Sequence, residues 1–546
     1  MKIKNRLKVI KWCIQLFFVS LVYLMDYRYF TSPPLHSDDW EWLVWRFIFD
    51  PFKFINWADR RPFFASLLVV LTPILRLNIA WYYVVNFLLI FISGIIVLLI
   101  VKKTFPNFQW IALPVSLIFL IYPINYAKTW LILLSIHLAM ILALSAILMM
   151  ITYARSGKIL HLIAGILFSL ISFGIYEAGL GIVMLASLFI SFFALEFTRK
   201  RRLPILSVFL TGMIFILWRI FIQPNVLNTQ DYYLETINIS FVNIIQRYIQ
   251  GLFIALFNWV GPLLTGFGRY KYWVFVGLGL VLIIIFLILL PKLLKSAKSK
   301  ETFPYQKRVN EIKSLVRIAV IGILFWAAGY IPVISLYQPI FYGDGSRVNY
   351  FSVPGASLAV VAGIACLIFL LLEKKDQIKR IVLIVSIPLV IIGSIYQIHA
   401  QNERFRVWEI NKSFWHEMFE LIPGIKERTK LVIVIPGYED LEPFEMYPFA
   451  GDWEAQSAFS ILYNEKDLFA RYYYIDIPSG PGNQLPDDMD WSQYIFVYYN
   501  PSHSSLRIIE DPTKALSLSF DLQGYDPQNR IQPYSPDINQ YRWLVD

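Results

Sequence analysis

Apolar residues in this chain gather in stretches of 15 to 22 residues, with most of the charged residues in the connections between them. A helix half-buried on a soluble core shows an apolar stripe instead, so stretches of this length predict membrane spans. They fall at 9–25, 80–101, 107–124, 131–151, 159–175, 178–197, 203–222, 272–290, 315–335, 353–372 and 381–398. Two more apolar segments, 62–77 and 251–265, are expected as interfacial or re-entrant helices. Counting either alone as a span puts a basic loop on the wrong side of the membrane, and counting both gives thirteen spans.

Basic residues concentrate in 1–11, Lys102-Lys103, Arg155 to Lys158, Arg199 to Arg202, Lys292 to Lys313 and Glu373 to Arg380. Placed in the cytoplasm, these fix the N-terminus inside and the C-terminus outside. The outer segments are then 26–79, 122–130, 176–177, 223–271, 336–352 and the tail from 399. In the tail, strand-length apolar runs at 431–435, 472–475 and 494–499 end at turn residues, and helices are expected at 409–422 and 454–470. The expected fold is a predominantly α-helical polytopic membrane protein of about eleven spans. It divides into a transmembrane part, 1–399, and a small extracytoplasmic α/β domain, 400–546.

Composition agrees: 57% of the 546 residues are hydrophobic and the mean hydropathy is +0.55. Aromatic residues make up 17% and gather at the ends of the apolar runs, as in Trp81-Tyr82-Tyr83, where amphipathic rings anchor spans. The net charge of +11 hides a split, because residues 400–546 hold 12 Lys and Arg against 23 Asp and Glu. The positive charge therefore orients spans and gives no sign of nucleic-acid binding. Cys13 and Cys366 both lie inside apolar runs, so no disulfide framework supports the tail. The basic N-terminus leads an apolar run without a small-x-small cleavage site, which predicts an uncleaved first span rather than a signal peptide.

The first outer loop opens His36-Ser37-Asp38-Asp39-Trp40-Glu41-Trp42. A carboxylate held among apolar groups at a membrane surface gains proton affinity and can act as a general base. The plainer reading is that Ser37 or Asp38 caps an amphipathic helix. Glu177 stands at the outer junction of two apolar runs, either as a functional acid or as a solvated hairpin turn. In 343–354 Arg347 precedes a span and offers a planar fork for phosphate oxygens, with Tyr350 beside it to position it or a sugar hydroxyl. Snorkelling to lipid headgroups is the alternative for Arg347. Lys128 in 122–130 and Arg61 in the first loop are phosphate contacts or interfacial anchors, and His137, inside a span, is expected to pack. Zinc-protease, Walker, nucleophile-elbow and CxxC motifs are all absent.

Taken together, the acidic pair Asp38-Asp39 after span one, the Arg61-Pro62-Phe63 segment, the basic span end Lys102-Lys103 and the late loop with Arg347, Tyr350 and Pro354 resemble the GT-C class of membrane glycosyltransferases. That class includes the protein O-mannosyltransferases and aminoarabinose transferases. The resemblance covers about residues 1–400 as architecture. It implies transfer of a sugar from a polyprenyl-phosphate carrier to a glycan, lipid or protein acceptor outside the cell membrane, with inversion. Asp38 or Asp39 would be the base, His36, Tyr350 and Arg61 would line the substrate, and Arg347, with Lys128 second, would meet the carrier phosphate. Several members carry an acid in the second outer loop; residues 122–130 hold none, and Glu177 is the substitute. The resemblance implies no required cofactor, and two acids with His36 do not define a cage for a divalent metal. The rival readings are a transporter or flippase, which would line a midplane path with charge, and a surface-polysaccharide ligase or polymerase.

Overall fold

The computed structural model describes residues 2–24, 26–35, 39–40, 43, 61, 63–76, 78–124, 127–131, 133–193, 198–223, 240–259, 305–334, 337–340, 344–372, 375–435, 449, 452–465, 468–474, 490–500, 505–513 and 524–533. Among the described residues helices dominate the first 421 positions. In order they are α1 (Lys2–Ser20), α2 (Phe64–Leu75), α3 (Ile79–Thr104), α4 (Ala112–Ile121), α5 (Leu133–Ser156), α6 (Ile159–Ile175), α7 (Gly179–Phe192), α8 (Leu206–Leu217), α9 (Phe241–Phe257), α10 (Tyr305–Tyr330), α11 (Val353–Leu371) and α12 (Lys375–Leu421). Helix α13 (Asp452–Leu462) belongs to the tail.

Helices stand at ten of the eleven expected spans, and the eleventh, 272–290, lies outside the described residues. Among the described residues six helices have the length and hydropathy to cross a membrane: Ile79–Thr104, Leu133–Ser156, Arg199–Ile222, Tyr305–Tyr330, Ser346–Leu371 and Gln377–Leu421. Five more are apolar and shorter. Their outward faces keep large apolar side chains exposed, such as Leu160, Ile163, Leu167 and Ile171 along α6. Water would oppose that exposure by about 25 cal/mol per Å², whereas lipid accepts it.

Close approach fixes the bundle at several points. Helices α10 and α11 touch through Gly322 and Gly355, where a Cβ on Gly355 would collide with the backbone of Phe325 and Trp326. Helices also stand at both segments expected as interfacial or re-entrant, with shifted bounds. The first is α2. The second, expected at 251–265, is α9, which starts ten residues earlier, where the Ser240 hydroxyl caps it by accepting from the Asn243 amide at 3.3 Å. The exposed face of α9 carries Phe241, Ile245, Ile249, Leu252, Phe253 and Leu256.

The sheet of the tail has strands β2 (Lys430–Ile435), β3 (Phe469–Tyr474), β4 (Tyr494–Asn500) and β5 (Ser505–Ile508) in the order β3-β2-β4-β5. Strand β2 pairs parallel with β3 and β4, and β5 runs antiparallel to β4. A small second sheet joins β1 (Gly424–Ile425) to β6 (Ile531–Gln532). Two expected elements are corrected here. The helix expected at 454–470 ends at Leu462, since Asn464 turns to positive φ and Phe469 already begins β3. The helix expected at 409–422 is the last part of α12, which passes residues 399 and 400 without a break. Trp408, Phe414, Trp415 and Phe419 on that part of α12 pack with Phe449, Phe459 and Tyr499 from the tail. The aromatic core thereby fixes the sheet to the end of the bundle.

Candidate functional site

At the end of the bundle beside the sheet, two connections bond to α12: residues 26–35 with 39–40, and residues 122–124 with 127–131 between α4 and α5. The 3-10 segment Asp344–Ser352 before α11 joins the second of them. Arg404 of α12 links the two connections, with its side chain 0% exposed. One terminal nitrogen donates to Asp39 Oδ2 at 2.6 Å and to the Pro34 carbonyl at 3.1 Å, and the other donates to the Thr129 carbonyl at 2.8 Å. The rings of Tyr83 and Trp130 flank the guanidinium at 5.3 and 5.8 Å. Asp39 is also 0% exposed, so both charges have given up their hydration and each depends on the other.

Lys128 precedes Thr129 and is 2% exposed. Its ammonium donates to the Leu120 carbonyl at the end of α4 and stands 4.9 Å from the Tyr23 ring and 6.0 Å from the Tyr350 ring. Among the described residues no carboxylate pairs with it, and burial lowers its pKa to about 7. The Lys128 carbonyl accepts from His137 Nε2 at 2.9 Å and from Asn86 Nδ2 at 3.2 Å. With Nε2 committed as a donor, neutral His137 presents Nδ1 as an acceptor, and the Tyr350 hydroxyl 2.7 Å away donates to it. The Asp344–Ser352 segment is stitched to the same connection: Ser346 Oγ accepts from the Ala127 amide at 3.2 Å and Asn349 Nδ2 donates to the Ile124 carbonyl at 3.0 Å. Arg347 follows Ser346 and is partly buried.

Glu177 and Arg61 form a second station. The Arg61 fork donates Nε and a terminal nitrogen to the two carboxylate oxygens at 3.0 and 2.9 Å, while its guanidinium lies over the Tyr176 ring at 4.5 Å. The Phe63 amide donates to the Gly174 carbonyl at 3.0 Å, so the first loop is fastened to the α6–α7 turn. The Tyr176 ring in turn stacks on Phe351, next to Tyr350. Burial alone would raise the Glu177 pKa, yet the Arg61 charge and its hydrogen bonds hold it at about 2.

The structure thus brings Glu177 and Arg61 together as a bidentate pair that helps hold the first loop against the α6–α7 turn. The lowered Glu177 pKa gives stability that is complete above about pH 4.5 and is lost as pH falls toward 2. Glu177→Gln is therefore expected to weaken the fold by about 1–3 kcal/mol at neutral pH and to flatten acid unfolding between those pH values. Thermal unfolding across a pH series checks this. An unchanged melting temperature and acid-unfolding profile would show that the pair carries no weight in the fold.

His36 and Asp38 lie outside the described residues. The structure joins Lys128 to Tyr350 through His137 and brings Asp39 to the neighbouring residue Thr129 through Arg404. A metal cage built on Asp39 would first have to displace the Arg404 guanidinium. Arg404 was not among the candidates, because the apolar run ends near 398 and its stretch reads as an ordinary polar tail; the signal was an arginine amid Phe405 and Trp408. No family model matches the chain, and no curated protein sequence matches it significantly.

Proposed function

We propose that the chain is a glycosyltransferase of the GT-C kind, crossing the cell membrane about eleven times with its N-terminus in the cytoplasm and its sheet outside. It moves a sugar from a polyprenyl-phosphate carrier to an acceptor hydroxyl at the outer surface. The observation that carries this reading is Lys128, a buried ammonium with no carboxylate partner among the described residues, set against Tyr350 at the end of an apolar bundle. A cation so placed suits an anionic headgroup whose tail stays in the membrane. Helices α2 and α9 supply apolar surface at the flank, where such a carrier would enter.

In this reading Asp39 is the positioning residue and Asp38 the base, because Arg404 occupies the Asp39 carboxylate. The Asp38 carboxylate takes the proton of the acceptor hydroxyl as that oxygen attacks the anomeric carbon. The bond from that carbon to the phosphate oxygen breaks on the opposite face, which inverts the centre, and the charge left on the carrier phosphate meets Lys128 and Arg347. The bond broken was energised when the carrier was loaded, so the reading requires no cofactor. Comparing cell-surface glycans and glycolipids from cells lacking the chain with those from complemented cells tests it. Loss of one defined sugar with build-up of its loaded carrier is expected; identical profiles would refute the transferase.

A further inference from the structure

The opposite end of the bundle holds a second constellation. Eight basic residues gather there from Lys102-Lys103, Arg155 to Lys158 and Arg199 to Arg202. Lys103 donates to Thr152 Oγ1 at 2.8 Å, Arg155 donates to the Lys103 carbonyl, and Arg201 donates to the Arg155 carbonyl at 2.8 Å. These bonds cap carbonyls left open at the ends of α3 and α5, but each guanidinium keeps further donors. Among the described residues none of the eight pairs with a carboxylate. The nearest acid in sequence, Glu196, lies outside them.

A cavity of about 90 Å³ adjoins this cluster between α3, α5, α7, α10 and α11. Thr104, Phe105 and Ile151 line its basic end, and Ile182, Phe325 and Pro354 its far end. Its walls are almost wholly apolar. From Ile182 to Ile190 along α7 it extends about 12 Å, at roughly 1.5 Å per residue. Thr104, which lines it, directly follows Lys103. A cationic cluster that pairs with no carboxylate among the described residues, set beside an apolar slot, complements a molecule with one anionic group and one hydrocarbon chain.

We infer that this end of the protein binds one anionic phospholipid, with its phosphate on Lys103, Arg155 and Arg201 and one acyl chain in the cavity. The site rests on the membrane reading of the chain and is independent of sugar transfer, so glycan profiles do not bear on it. A free phosphate shares the headgroup chemistry, but it would leave the apolar slot unused.

The full chain, purified in an uncharged detergent and stripped of lipid, is the material for the test. Phosphatidylglycerol, phosphatidylcholine or inorganic phosphate is added, and retained lipid is counted by native mass spectrometry beside thermal unfolding. One retained phosphatidylglycerol and a rise in Tm of roughly 3 °C or more are expected, with no comparable rise from the other two. Ala186→Phe, which fills the slot, and the double variant Arg155→Gln/Arg201→Gln, which alters two exposed side chains, should each abolish that rise. Equal stabilisation by phosphatidylcholine would overturn the site in favour of a general lipid belt, and equal stabilisation by phosphate would reduce it to a free-anion site. Should Ala186→Phe fail to fold, the double variant decides alone. Wild-type behaviour in that variant removes the proposal.

Discussion

Arg404→Ala is expected to destabilise the protein by about 3–5 kcal/mol, the cost of stranding one member of a fully buried ion pair. The substitution leaves the Asp39 carboxylate dry and removes the donors to the Pro34 and Thr129 carbonyls at the same time. Arg404→Lys should rescue little, because a single ammonium cannot span three acceptors set around a planar fork. Asp39→Asn, which keeps an acceptor for the fork, should cost less than Arg404→Ala. Replacing both partners together, as Asp39→Leu with Arg404→Met, should recover much of the loss, since an apolar pair of similar volume avoids the desolvation penalty. Melting temperatures of the four variants in detergent check the series. A wild-type melting temperature for Arg404→Ala would show that the pair carries no weight.

If the proposed transferase reading holds, Asp38→Asn is expected to lower sugar transfer about 10²- to 10⁴-fold, the usual contribution of a positioned base, with the melting temperature unchanged. Asp39→Asn should lower activity and melting temperature together, because its effect passes through Arg404. Activity with a loaded carrier, measured beside thermal unfolding, separates the two acids. Full transfer by Asp38→Asn would end its assignment as base. Loss of transfer by Asp39→Asn at full stability would move the role to its neighbour.

The helices were legible because span-length apolar runs carry their own signal, and Lys102-Lys103 or Arg199 to Arg202 mark where they stop. The tail strands were legible for a related reason: Leu431 to Ile435 and Tyr494 to Tyr499 are short apolar runs closed by Pro436-Gly437 and Asn500-Pro501. Their order was not, since the parallel pairing of β2 with β3 and β4 joins segments about 40 and 60 residues apart, a distance no local pattern records. The acids show the same division. Hydropathy picked out Asp39 and Glu177 as charges in apolar surroundings, but whether a carboxylate is free or paired depends on what folds against it. For Asp39 the partner is 365 positions away and for Glu177 it is 116. Lys128 is buried, and among the described residues no carboxylate pairs with it, which no local pattern of the sequence records. His137 was expected to pack, and it does so through two hydrogen bonds that join Lys128 to Tyr350.

Helix α12 has a mechanical consequence. From Ser394 to Leu421 it contains neither glycine nor proline, an unbroken length of about 42 Å. One end lies within the bundle and the other is gripped by the aromatic core beneath the sheet, with Arg404 between them. A load on the sheet therefore reaches the Asp39 clamp as tilt or torsion of one rod, with no joint to absorb it. The tail behaves as a handle on the membrane part, and cutting the chain at 399 would sever the handle together with the clamp it holds.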